Sequence, residues 1–88
     1  MTPFDFTLAV HTYCLMTDGS VTSWVRTGAH NRQVGGVADS PHLYGLGADV
    51  VYDGSLVLGF ATQTAARLGL TLLREGDHDH LQPADWRP

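Results

Sequence analysis

The 88 residues predict an α+β domain: a small, largely antiparallel sheet with flanking helices. Two observations carry this. Helix signals open the chain and recur past its middle, and four short strand-like runs alternate with glycine turns. The order is helix, strand, loop, strand, helix, strand, strand, which suits hairpin pairing better than repeated parallel crossovers.

The first helix starts at Thr2-Pro3-Phe4-Asp5. Thr2 can cap, Pro3 suits the first helical position, and Asp5 favours the positive end of the dipole. The helix is expected to run to about Thr17 and to stop at Asp18-Gly19. Residues 20–25 alternate Val21, Ser23 and Val25 against Thr22 and Trp24, a strand pattern closed by Arg26. Residues 27–40 are polar and glycine-rich, a loop with one helical turn near 30–33. Residues 47–52 form the next strand, since Val50, Val51 and Tyr52 are good strand formers, and Asp53-Gly54 turns the chain. Ser55 is expected to cap a helix with apolar positions at Val57, Phe60, Ala61, Thr64, Ala65 and Leu68, ended by Gly69. Residues 70–74 and 78–82 are two short strands broken at Gly76. Pro83 stops the last one, and the tail to Pro88 is a surface segment with Trp86 laid against the body.

Composition narrows the function. One domain covering 1–88 is expected, with 43% hydrophobic residues supplying one modest core. So small a core often leans on a staple. Cys14 is the only cysteine, so an internal disulfide is excluded and a bound metal is the remaining candidate. The net charge is −4, with no basic run, which argues against nucleic acid as a partner. No apolar run reaches the length of a membrane span, and the N-terminus lacks the basic start of a signal peptide.

The chemistry concentrates in two places. In Ser40-Pro41-His42-Leu43-Tyr44-Gly45-Leu46-Gly47-Ala48-Asp49, a histidine and an aspartate lie seven positions apart. Gly45 and Gly47 between them make a helix unfavourable. A glycine-kinked loop running into a strand brings the imidazole and the carboxylate to one centre, which is ordinary zinc ligation. The second place is Asp77-His78-Asp79-His80, a source for a third ligand. In a strand His78 and His80 share a face, while Asp79 and Leu81 point away. Gly76 lets the chain bend so that Asp77 approaches the same site, and Glu75 is the competing carboxylate. Glu75 and Asp79 otherwise read as a solvated acidic turn. His11 and His30 read as structural residues. Three protein ligands with a fourth position left open are the pattern of a catalytic zinc site.

The pattern Ser40-x-His42-x-x-Gly45-x-Gly47-x-Asp49 resembles the SxHxxGxAxD signature of the D-Ala-D-Ala carboxypeptidase and L-Ala-D-Glu endopeptidase family. These zinc peptidases act on bacterial cell-wall peptides and share a fold with the hedgehog signalling domain. Arg26-Thr27-x-x-His30-Asn31, followed by Val34-Gly35-Gly36, is similar to the stretch before that signature, and Asp77-x-x-His80 to the family's third element. The resemblance implies zinc held by His42, Asp49 and His80. It implies Asp77 as general base, Arg26 over the developing oxyanion, His78 assisting, and Ser40 supporting the ligands. The implied partner is a peptidoglycan stem peptide, met by a monomer at the cell wall, with phage or prophage release as one route. The alternative is a zinc-containing, hedgehog-like binding module without turnover. Two departures stand out: Gly47 replaces the signature's alanine, and Trp24-Val25 replaces the glycine–aromatic pair before the arginine.

Overall fold

A four-stranded antiparallel sheet, its strands β1 (Gly19–Ser23), β2 (Ala48–Tyr52), β4 (His78–Pro83) and β3 (Leu70–Glu75) in that order, carries two longer helices on one face. The computed structural model describes residues 1–87; Pro88, the end of the expected tail, lies outside the described residues. The elements are α1 (Pro3–Thr17), β1 (Gly19–Ser23), α2 (Gly28–Gln33), a 3₁₀ turn (Pro41–Tyr44), β2 (Ala48–Tyr52), α3 (Leu58–Arg67), β3 (Leu70–Glu75) and β4 (His78–Pro83). This is the α+β architecture the sequence predicts.

Helix α1 begins with a capping box. The Thr2 hydroxyl accepts from the Asp5 backbone N–H, and the Asp5 carboxylate accepts from that of Thr2. It ends at Asp18, left-handed with φ 54°. Phe6, Val10, Tyr13 and Thr17 form its buried stripe. They pack on Ala48 and Val50 of β2, Leu81 of β4, Leu70 of β3 and Ala65 of α3. Fully burying a Phe6-sized side chain contributes about 1.5–3 kcal/mol, so this cluster fixes how the helices sit on the sheet.

Three boundaries differ from expectation. Strand β1 ends at Ser23 behind a bulge at Val21/Ser23, so Arg26 lies in the following loop and does not close the strand. Its backbone N–H instead donates to the His42 carbonyl. Helix α3 starts at Leu58, with Val57 in the capping position and no side-chain cap, so Ser55 does not cap it. Its buried residues are Ala61, Thr64 and Ala65, while Val57 and Phe60 are exposed. The expected helical turn near 30–33 is a six-residue helix, α2, capped by the Thr27 hydroxyl.

Alternation along the strands then divides the chemistry between two faces. Ala48 and Val50 of β2 and Leu81 of β4 enter the core, whereas Asp49 and His80 face each other across the pair on the other side. Gly76, with φ 68°, and Asp77 form the two-residue turn between Glu75 and His78, as a primed hairpin turn requires.

Candidate metal centre

His42 arrives from the segment linking β1 and β2. Ser40 caps the 3₁₀ turn with its hydroxyl accepting from the His42 N–H, Pro41 opens the turn, and Gly45 closes it at φ 71°. A β-carbon on Gly47 would lie 2.8 Å from the His42 backbone nitrogen and 3.1 Å from its ring. The glycine that departs from the family signature therefore permits a close approach of backbone to ligand.

His42, Asp49 and His80 are 2%, 6% and 6% exposed, so the group is out of bulk water. Asp49 Oδ1 lies 3.2 Å from His42 Nε2 and 3.1 Å from His80 Nδ1. The other nitrogen of each ring is engaged. His42 Nδ1 is 2.6 Å from the Trp24 carbonyl, and His80 Nε2 is 2.9 Å from Gln82 Oε1. Both partners are acceptors, so each ring spends its N–H there and turns a lone pair on the centre. Two imidazole lone pairs and a carboxylate oxygen repel one another unless a cation lies among them. Their 3.1–3.2 Å separations are close to the edge of a zinc tetrahedron, about 3.3 Å for metal–ligand bonds near 2 Å. The donor set fits zinc.

Burial pushes the Asp49 carboxyl up, but its close contacts with the imidazoles of His42, His80 and His78 outweigh that. The group is held well below the usual carboxylate range. Asp49 Oδ2 accepts from Arg26 Nη2 at 3.1 Å. Arg26 also donates through Nε to Ser23 Oγ and through Nη1 to Asn31 Oδ1, both at 3.2 Å.

An open cleft of about 450 Å³ lies over the group, with Arg26, Glu75, His78, Leu73 and residues 34–37 on its walls. His78 Nε2 points into it, 3.7 Å from Asp49 Oδ1 and 3.4 Å from Glu75 Oε1. Its Nδ1 is 2.8 Å from Asp77 Oδ1. That contact raises the His78 pKa despite partial burial, and Asp49 adds to the effect. The Asp77 side chain is 97% exposed. It reaches the centre only through His78, whereas Glu75 lines the cleft directly. His42, Asp49, His80, Arg26 and His78 are thus brought together.

Asp79 corrects the reading of a solvated turn. It is 2% exposed and faces the core, where Arg74 donates to it through Nε at 2.9 Å and Nη2 at 3.0 Å. The Tyr52 hydroxyl donates to it at 2.8 Å and meets the Tyr13 hydroxyl at 2.6 Å. Gln82 also escaped the sequence reading, and Asn31 has no role there although it stands in the stretch before the signature. Gln82 was accessible from parity, since it shares a strand face with His78 and His80. Asn31 has no signal from parity; only its place in Arg26-Thr27-x-x-His30-Asn31 marks it.

The Peptidase M15 family profile matches residues 13–82, which span every residue of the centre. The chain belongs to the peptidase M15 family. No curated protein and no solved structure matches it. Membership in M15, a family of zinc peptidases, agrees with the buried His42–Asp49–His80 group. Among the described residues of the M15 chain, no helix is long and apolar enough to cross a membrane.

Proposed function

We propose that this chain is a zinc metallopeptidase that hydrolyses an amide bond in peptidoglycan stem peptides, of the D-Ala-D-Ala carboxypeptidase or L-Ala-D-Glu endopeptidase type. The observation that carries it is the convergence of two imidazole lone pairs and one carboxylate, each fixed by its own outer partner, at the base of an open cleft. Bound by His42, Asp49 and His80, zinc would supply Lewis acidity toward a carbonyl and a water molecule.

The remaining steps belong to the protein. Arg26 spends three of its five N–H groups on Ser23, Asn31 and Asp49, which fixes the plane of its fork and leaves two for the oxyanion that forms as the amide is attacked. His78 directs Nε2 into the cleft, and Asp77 holds Nδ1. Asp77 therefore acts through His78: the imidazole takes up a proton from the attacking water, the adjacent carboxylate stabilises the resulting charge, and the proton passes to the leaving amine. Glu75, on the cleft wall, is the rival for this role. The apolar walls around Leu73 and residues 34–37 exclude water from one side of the peptide.

A second reading, a metal-holding module without turnover, draws on the solvent-facing position of Asp77. Purified muropeptides incubated with the zinc-loaded chain separate the two. New peptide termini by mass spectrometry support the peptidase, and intact muropeptides with zinc bound support the module.

A further inference from the structure

Asn31 is a buried amide, 3% exposed, that the reaction above uses only as one acceptor for Arg26. It lies on α2, outside the metal group, and both hydrogen bonds of its side chain, with one of its backbone, join parts of the cleft. Its Oδ1 accepts from Arg26 Nη1 at 3.2 Å. Its Nδ2 donates to the Val37 carbonyl at 2.9 Å, and its backbone carbonyl accepts from the Gly36 N–H at 2.8 Å. The orientation of the amide follows from chemistry, because arginine only donates and a carbonyl only accepts. Gly36 completes the clasp. A β-carbon there would lie 2.0 Å from Asn31 Oδ1, so any other residue would displace the amide.

We propose that Asn31 is a positioning residue: it sets the Arg26 guanidinium and the cleft wall at residues 34–37 at a fixed spacing, and so defines the slot that the peptide enters. Asparagine suits both tasks at once. Aspartate keeps the acceptor for Arg26 and loses the donor for Val37. Alanine loses both, and glutamine is one methylene too long. The consequence for turnover rests on the peptidase reading, but the consequence for Arg26 does not.

The test uses N31D, N31A and G36A in the full chain. With muropeptides, N31D is expected to raise KM, because only the wall is released. N31A is expected to lower kcat about 10- to 100-fold as well, the usual scale for a group misplaced by about an ångström. Combined with R26K, N31A should cost far less than it does alone, since the two act as a unit. A merely structural role would leave the two effects additive. Independently of turnover, hydrogen exchange at the Arg26 Nε–H, followed by NMR in zinc-loaded and metal-free protein, should quicken in N31A and G36A and hold in N31D.

Unchanged Arg26 exchange in N31A or G36A, or an additive cycle, overturns the proposal. If N31A fails to fold, N31D and G36A still decide: wild-type KM in N31D refutes the wall tether, and wild-type exchange in G36A refutes the hold on Arg26. Failure of the wild-type chain to cleave muropeptides counts against the peptidase reading alone, and the exchange measurement still judges Asn31.

Discussion

Asp49 is the residue on which the centre turns, because both of its oxygens are committed: Oδ1 to the two imidazoles and Oδ2 to Arg26. Arg26 is held by three fixed contacts, and a lysine ammonium cannot reproduce that planar fork. Arg26→Lys is expected to lower kcat about 10- to 100-fold with KM little changed, as follows for a group whose remaining donors act only when the oxyanion forms. Steady-state kinetics on muropeptides check this. A raised KM at constant kcat would recast Arg26 as the holder of a substrate carboxylate. The proton-handling group is tested the same way. Asp77→Asn should keep zinc and cost about 10²–10⁴-fold in rate, and Glu75→Gln should be mild. The opposite ranking would move the base to Glu75, which lines the cleft directly.

At the scale of elements, β4 is the hinge of the account. Strand parity sends His78, His80 and Gln82 to the cleft and Asp79 and Leu81 to the core. The core side is pinned by a chain of hydrogen bonds through Arg74, Asp79, Tyr52 and Tyr13, which ties β3, β4, β2 and α1 together. Asp79→Ala leaves the Tyr52 hydroxyl and the Arg74 fork without their acceptor, and is expected to cost about 1–3 kcal/mol in urea unfolding. A stability within 0.5 kcal/mol of wild type, the ordinary range for a surface substitution, would show that the network is dispensable.

The same strand shows what the sequence discloses. The facing of His78 and His80 is legible because strand geometry dictates it. The burial of Asp79 is not, because the Tyr52 hydroxyl that donates to it, and the Tyr13 hydroxyl behind that, come from elements far away in the chain. The Thr2 cap and the Asp18 stop of α1 are local chemistry and were legible, whereas the late start of α3 overrides the local cap signal at Ser55. The motif marked Arg26, which lines the cleft beside Asp49, but its loop position depends on the β1 bulge, which has no clear local signal.

For the whole molecule, metal and fold are one problem. A core of this size is modest, and the centre joins the segment between β1 and β2 to strands β2 and β4. Zinc bound there would stabilise the folded state by mass action, because the unfolded chain cannot assemble three such ligands. Chelation is therefore expected to lower the Tm, and His80→Ala should abolish that dependence. A Tm indifferent to chelator in the wild type would show that the three side chains form only a hydrogen-bonded cluster. Hydrolysis of a purified stem peptide by the chain before chelation, after it, and after zinc is restored, with products read by mass spectrometry, tests the peptidase reading most directly. One new pair of peptide termini is expected, which disappears on chelation and returns with one equivalent of zinc. Cleavage that persists without metal, or an intact peptide beside a chain holding one zinc, would contradict it.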